Sequence, residues 1–277
     1  SGKYITRDIY KSIYYLTLAS NQNNPKALYM LGYIYYEGKY IKRDINKSIH
    51  YLALAANQNY SEAQFILGYI YYEGKYIKQD INKSIYYFTI ASNQNLSKAQ
   101  YILGLLYYNG KYITQDINKS VHYLTLASNN DSPYAQLFLG FFYLTNKCEK
   151  NIKDIVYLIY RSSLSGYYKS YFFMGYFYHK GIYVERDIKK SIYYYKEGSS
   201  FNCKYSKNNL GIIYKHGFGT EIKKNIGLSL AYFDELVSRF DDAVFMYNLI
   251  HIYIFEDKSK ERIEESIDLL IKSKQKL

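Results

Sequence analysis

The stretch Leu31–Gly38 (LGYIYYEG) occurs again, letter for letter, at Leu67–Gly74 and returns with three changes at Leu103–Gly110 (LGLLYYNG). The three copies lie 36 residues apart, and shorter relatives of the same stretch begin at Leu139, Met174 and Leu210. A fixed period of this length is the sequence signature of a repeat architecture, in which small units stack to share one core.

A second series with the same period runs between the copies. It consists of an aspartate followed by isoleucine, at Asp8, Asp44, Asp80, Asp116 and Asp187. Two interleaved series with one period predict that each repeat contains two structural elements, one beginning ahead of the Leu-Gly pair and one beginning at the aspartate.

Apolar spacing predicts that both elements are helices. Ala27, Leu28, Leu31, Ile34 and Tyr35 follow a helical period, and so do the residues after each aspartate. The aspartates suit helix N-caps, Pro25 and Pro133 suit first turns, and the glycines at 38, 74, 110, 181 and 217 suit helix ends. Gly32 lies on the apolar stripe, which predicts a close approach of the partner helix.

The pattern A-x3-LG-x2-Y-x2-G, followed by a short loop and D-x3-(A/S)-x6-A, resembles the Sel1-like repeat family, a relative of the tetratricopeptide repeat. Ser48 and its equivalents stand where that family usually has alanine, and an asparagine-rich turn replaces its usual glycine after the second helix. The resemblance implies an all-α, right-handed α-solenoid that acts as a protein-interaction scaffold or adaptor.

The repeat register also divides the chain. Residues 1–24 are expected to be the second half of a truncated repeat, residues 25–220 the main repeats, and residues 221–277 a degenerate last repeat with a capping helix near Ser266. Because Gly2 aligns with Gly38, we expect the sequence to be part of a longer multidomain chain. Residues 145–165 depart from the pattern, with Ile152 at the expected position of the capping aspartate.

The 40 tyrosines are divided by their position in the repeat. Those on the apolar stripe are predicted to be core residues: Tyr35, Tyr71, Tyr107, Tyr143, Tyr178 and Tyr214. By the resemblance, the first helix of each repeat lines a concave groove, and large aromatic side chains there are candidate anchors for a partner. The predicted partner-binding residues are Tyr29, Tyr33, Tyr36, Phe65, Tyr69, Tyr72, Tyr101, Tyr108, Phe141, Phe172, Tyr176 and His179.

The net charge of +12 is compatible with several kinds of partner. A basic solenoid could bind nucleic acid, but Glu37, Glu62 and Glu73 fall on the predicted groove, which argues against it. A protein or peptide partner, an acidic one included, fits the net charge equally well. The same tyrosines could instead form a glycan-binding surface, or the repeats could serve as a purely structural spacer.

Cys148 and Cys203 show no disulfide spacing, which favours a reducing compartment. The Asn-Lys-Ser sequons would be glycosylation acceptors in a secretory lumen, yet their serines fall on the buried stripe of a packed helix. The location is therefore predicted to be cytoplasmic. No apolar run reaches the ~20 residues of a membrane span. The five histidines show no metal-binding spacing, and no nucleophile or phosphate-loop motif occurs. We therefore expect no enzyme activity, no metal and no cofactor.

Overall fold

The computed structural model describes residues 9–146, 150–240 and 243–252. The chain start at Gly2, Cys148 and the predicted capping helix near Ser266 lie outside the described residues. The helices are α1 (Ile9–Asn21), α2 (Pro25–Glu37), α3 (Ile45–Asn57), α4 (Ser61–Glu73), α5 (Ile81–Asn93), α6 (Ser97–Asn109), α7 (Ile117–Asn129), α8 (Pro133–Thr145), α9 (Ile152–Leu164), α10 (Tyr168–Lys180), α11 (Ile188–Ser200), α12 (Lys204–His216), α13 (Ile226–Arg239) and α14 (Ala243–Ile252). Within these ranges the only β-structure is an isolated bridge between Phe218 and Ile222.

The chain divides into two compact units, residues 1–139 and residues 140–277, with the division inside α8. In each unit, first helices of the repeats (A helices, the even-numbered α2 to α12) alternate with second helices (B helices, the odd-numbered α1 to α13). Consecutive helices pack on one another from α1 to α7 and from α9 to α14, and α2 also contacts α4, as α10 contacts α12. Stacked hairpins of this kind confirm the predicted all-α solenoid class.

The predicted helix boundaries are confirmed where the motif is intact. The side chains of Asp44, Asp80, Asp116 and Asp187 each accept a hydrogen bond from the backbone N–H three residues later, at 2.9–3.0 Å. The prediction for Ile152 is wrong: Asn151 is the N-cap of α9 and accepts from the N–H of Lys153. The cause is a one-residue shortening of the repeat, which moves the cap position.

Asparagine or aspartate stands in place of glycine at five turns from a B helix to the next A helix, whereas the turn from α9 to α10 keeps Gly166. Asn23, Asn59, Asn95, Asp131 and Asn202 have φ between 56° and 62°. Asparagine and aspartate tolerate this left-handed conformation better than other non-glycine residues. The replacement of the family's usual glycine by asparagine or aspartate therefore preserves the left-handed conformation of the turn.

The glycine of each Leu-Gly pair permits the close packing of the two helices in a hairpin. A Cβ added at Gly32 would lie 2.6 Å from Leu52 Cγ, and one at Gly68 would lie 2.8 Å from the Phe88 ring. The same holds at Gly104, where Leu124 Cγ would be 2.6 Å away. The predicted close approach is confirmed.

The serines that replace alanine on the B helices carry an unsatisfied polar group. Ser48, Ser84 and Ser120 are fully buried or nearly so, and their Oγ atoms have no hydrogen-bond partner in the protein. Ser229, in the corresponding position of α13, differs because its Oγ donates to the Gly211 carbonyl at 2.7 Å.

We expect the substitution Ser84→Ala to raise the free energy of unfolding by about 1 kcal/mol, because it removes a buried hydroxyl that lacks a partner. Ser229→Ala is the matched control and should lower the same quantity by about 1 kcal/mol, since it breaks a buried hydrogen bond. Urea denaturation followed by circular dichroism measures both. Equal losses in the two variants would contradict the assignment of Ser84 as unsatisfied.

The tyrosines predicted to be core residues are mostly half-buried; of the six, Tyr143 alone is buried. Tyr35, Tyr71 and Tyr107 each lie flat on a B-helix tyrosine, with ring centroids 5.8–6.0 Å apart and interplanar angles of 7° or less. A lysine ammonium also lies over each of these rings, 5.1–5.3 Å from the ring centroid. These rings therefore lie at the edge of the core, where the lysine side chains shield them partly from solvent through cation–π contacts.

Buried amides link neighbouring hairpins of the first unit. Gln64 donates to the Ala56 carbonyl of the preceding hairpin at 3.2 Å and accepts from Gln94 at 2.7 Å. Gln100 repeats this arrangement with Ser92 and Asn130. In the second unit the corresponding pair is aromatic, since Phe201 stacks on Tyr171 at 5.9 Å.

Candidate interaction surface

The residues predicted to bind a partner all lie on A helices, and together they are called the aromatic face here. In the first unit, α2 carries Tyr29, Tyr33 and Tyr36, α4 carries Phe65, Tyr69 and Tyr72, and α6 carries Tyr101 and Tyr108. Tyr33 is 38% exposed, and the other seven are half-buried. Each ring thus offers only part of its surface to a partner.

Rings of the aromatic face in the first unit contact rings of the following hairpin. Tyr29 lies 5.2 Å from Tyr60 between ring centroids, and Tyr101 lies 5.7 Å from Tyr134. The Tyr72 ring lies edge-on to Tyr112 at 5.7 Å. These contacts restrict the rings, so little side-chain entropy remains to be lost when a partner binds.

Carboxylates accept hydrogen bonds from the hydroxyl groups of three of these tyrosines. Tyr33 donates to Glu37 at 3.0 Å. Tyr36 and Tyr69 donate to the two different oxygens of Glu73, each at 3.0 Å, so Glu73 joins α2 to α4. At these three tyrosines the surface therefore combines an apolar ring with a nearby negative charge.

The pKa values of these tyrosines are raised. The hydrogen bond to Glu37 is the main cause for Tyr33, whereas burial is the main cause for Tyr36 and Tyr69, followed by the hydrogen bond to Glu73. All three hydroxyls therefore remain protonated donors at neutral pH.

The aromatic face of the second unit is formed differently. Phe141 of α8 lies 4.3 Å from Phe173, and Phe172 of α10 contacts Tyr176 at 6.3 Å and Tyr205 at 5.6 Å between ring centroids. No hydroxyl–carboxylate pair like those of the first unit was found among these described residues. The surface is a cluster of rings.

His179, the last predicted residue, lies at the end of α10 between two rings. Its imidazole is edge-on to Tyr195 at 6.2 Å and to Phe218 at 6.1 Å. Burial lowers its pKa, and the positive charges of Lys180 and Arg186 lower it further. His179 is therefore neutral at pH 7 and adds an aromatic surface without a charge.

Sequence reasoning missed a set of side chains that donate hydrogen bonds to backbone carbonyls at the C-terminal ends of the A helices, beside the aromatic face. Arg43 donates to the carbonyls of Tyr36 and Glu37 at 2.8 and 2.9 Å, and its guanidinium lies 4.4 Å from the Tyr76 ring centroid. The equivalent residues of other repeats donate the same hydrogen bond to a carbonyl at the end of an A helix: Gln79 to Tyr72, Gln115 to Tyr108 and Arg186 to His179. The signal was a long hydrogen-bond donor immediately before each capping aspartate.

Among the described residues, no group of three or more histidine, cysteine, aspartate or glutamate side chains could hold a metal ion. None of the described helices is both long and apolar enough to cross a bilayer.

A family model of the Sel1 repeat matches residues 1–24, 25–60, 61–96, 97–132, 169–200 and 204–235, well over half of the sequence. The chain belongs to the Sel1 repeat family. Sel1 repeats typically form protein-interaction scaffolds and are generally non-catalytic. Residues 133–168, which include the segment that departs from the repeat pattern, lie between the matches.

The solved structures similar to this Sel1 repeat chain include two with a TM-score above 0.7. A Sel1 repeat protein from Oxalobacter formigenes is 27% identical, with a TM-score of 0.71 over 79% of this chain and 89% of that one. A protective antigen of uropathogenic Escherichia coli strains, which has the same type of fold, is 22% identical with a TM-score of 0.83 over 95% of this chain. This chain spans 56% of that antigen's length, and the likeness shows the fold alone. No protein of curated function matches the sequence.

Proposed function

We propose that this Sel1 repeat chain is a scaffold or adaptor that binds a peptide or partner protein on its aromatic face. The observation that carries the proposal is the set of partly exposed rings on the A helices, held in place by neighbouring rings and by carboxylates. Tyr33 supports it most directly, because its ring is 38% exposed and its hydroxyl is already fixed by Glu37. Rigid tyrosine surfaces of this kind are typical of protein interfaces.

The charges on the aromatic face favour a protein over nucleic acid. Glu37, Glu62 and Glu73 are exposed on the A helices of the first unit. Carboxylates beside the rings would repel the phosphates that supply most of the affinity in nucleic-acid binding. A cytoplasmic location and a longer parent chain remain predictions that accompany this proposal.

The proposal is tested with peptides selected from a phage-displayed library on the full chain, whose affinities are then measured by isothermal titration calorimetry. The double variant Tyr33→Ala, Tyr69→Ala is expected to bind at least about tenfold more weakly than the unaltered chain, because each ring is a candidate anchor. The single variant Tyr33→Ala should show a smaller loss in the same direction, and it avoids disturbing Tyr69, which packs partly on the core.

The matched control is Tyr86→Ala, Tyr193→Ala, which removes two exposed tyrosines from B helices. It should bind the selected peptides with unchanged affinity, and circular dichroism should show that all variants are folded. If the selected peptides bind both double variants equally well, the aromatic face is not the binding surface. If no peptide is selected, the scaffold function itself is contradicted.

A further inference from the structure

A pocket of about 870 Å³ lies in the second unit beside the first turns of α10 and α12. Its walls are largely aromatic, formed by Tyr168, Phe172, Phe173, Phe201, Tyr205 and Phe240. Phe172 belongs to the aromatic face; the pocket extends that surface towards the start of the helices. Concave sites with predominantly apolar and aromatic walls are the usual form of binding pockets.

Two of these rings stand where the first unit has small or polar side chains. Tyr168 begins α10 at the position of Ser61 and Ser97, and Phe201 follows α11 at the position of Gln58 and Gln94. Both rings are well exposed, Tyr168 at 38% and Phe201 at 51%. Tyr168 therefore goes beyond what the repeat needs for folding, and Phe201, although stacked on Tyr171, leaves about half of its surface exposed.

The charged residues that line the pocket are positive. Lys169 and Lys204 are among its lining residues, which include no carboxylate. The first turns of α10 and α12 carry three lysines, Lys169, Lys204 and Lys207, and no aspartate or glutamate. Glu235 of α13 is already paired with Lys207 and, at 3.3 Å, with Arg239.

The two helix starts add to the positive potential. Neither Tyr167 nor Cys203, the N-cap residues of α10 and α12, accepts a backbone hydrogen bond with its side chain. The positive ends of both helix dipoles therefore receive no hydrogen-bond acceptor from their N-cap side chains, and a carboxylate from a partner would be stabilised there.

We propose that this pocket binds an aromatic or large aliphatic side chain from an acidic segment of a partner protein. The apolar side chain would cover the exposed faces of Tyr168 and Phe201, and acidic neighbours in the same segment would reach Lys169. The inference rests on the proposed scaffold function and names the chemistry of the partner for the second unit.

The test uses fluorescence anisotropy with a fluorescein-labelled peptide, Gly-Asp-Glu-Asp-Phe-Asp-Glu-Asp, and the full chain. Two comparison peptides replace its Phe by Ser, or its acidic residues by Asn and Gln. Each comparison peptide is expected to bind about tenfold more weakly, because the first loses the apolar anchor and the second the charge attraction. Binding of the acidic peptide should weaken as salt is added.

Phe201→Gln is the decisive variant, because it introduces the residue that other repeats carry at this exposed position. It should weaken binding of the acidic peptide about tenfold. Lys169→Glu should weaken it about threefold or more, whereas Lys98→Glu, the same repeat position in α6, should leave it unchanged. Melting curves establish that the three variants are folded.

Three outcomes overturn the inference. The first is that the acidic peptide does not bind the unaltered chain. The second is that the Phe201→Gln variant binds this peptide as tightly as the unaltered chain does. The third is that a single-stranded DNA oligonucleotide binds more tightly than the acidic peptide, with an affinity that Phe201→Gln does not change. The scaffold proposal is judged separately by the library-selected peptides. It stands if those peptides depend on Tyr33 and Tyr69 while the acidic peptide fails to bind.

Discussion

Replacing Phe88 by alanine is expected to lower the free energy of unfolding by about 3–5 kcal/mol, the range measured when large aromatic side chains are removed from cores. Phe88 of α5 is fully buried. Its ring packs against Gly68 of α4 and lies 5.6 Å from the Phe65 ring between centroids. The first unit cannot fill the resulting cavity easily, because both helices of the hairpin are held at their ends by caps and tight turns.

Guanidinium denaturation followed by far-ultraviolet circular dichroism measures this loss. Tyr86→Ala, on the same helix two residues earlier, is the control, since Tyr86 is 60% exposed. Its effect should stay within about 0.5 kcal/mol, as is usual for surface substitutions. A Phe88→Ala variant as stable as Tyr86→Ala would mean that α4 and α5 do not pack as described.

Replacing Gly104 by alanine is expected to lower the free energy of unfolding by about 1–3 kcal/mol, the usual cost of overpacking a core. Alanine favours an isolated helix over glycine by about 1 kcal/mol, so the loss must come from the contact with α7. An added Cβ would lie 2.6 Å from Leu124 Cγ and 3.3 Å from the Leu124 backbone nitrogen.

A double-mutant cycle with Leu124→Ala separates the clash from helix propensity. When Leu124 is already alanine, Gly104→Ala should cost nothing or stabilise, which gives a coupling energy of at least about 1 kcal/mol. Gly227→Ala is the control, because an added Cβ there meets only Asn225 Oδ1 at 3.6 Å. Additive effects of the two substitutions would contradict a direct clash between residues 104 and 124.

Local chemistry made much of the fold predictable from the sequence. Asp116 caps α7 and Gly110 ends α6 because each depends on backbone groups only a few residues away. The error at Ile152 had the same local origin, since a shortening of one residue shifts the cap to Asn151. Where a repeat keeps its length, its helix boundaries can be predicted from the caps.

Contacts between hairpins were less predictable. Tyr35 follows the apolar stripe, yet it is half-buried because it lies at the edge of that stripe, flat on Tyr51. The bond from Tyr36 to Glu73 depends on how one hairpin stacks on the next, which periodicity does not specify. The aromatic pocket escaped prediction for the same reason, since its walls come from α10, the turn between α11 and α12, the start of α12 and the residue after α13.

The amide contacts of Gln64 and Gln100 have a consequence for how a chain of this type can change its length in evolution. Both glutamines bond to a backbone carbonyl of the preceding hairpin, a group that every residue type supplies. If a 36-residue stretch such as 61–96 were lost, Gln100 would therefore meet the Ala56 carbonyl in place of the Ser92 carbonyl. If the stretch were duplicated, the second copy of Gln64 would meet the Ser92 carbonyl of the first copy. The binding surface could gain or lose one hairpin at a time, and natural variants that differ in copy number would keep compatible junctions.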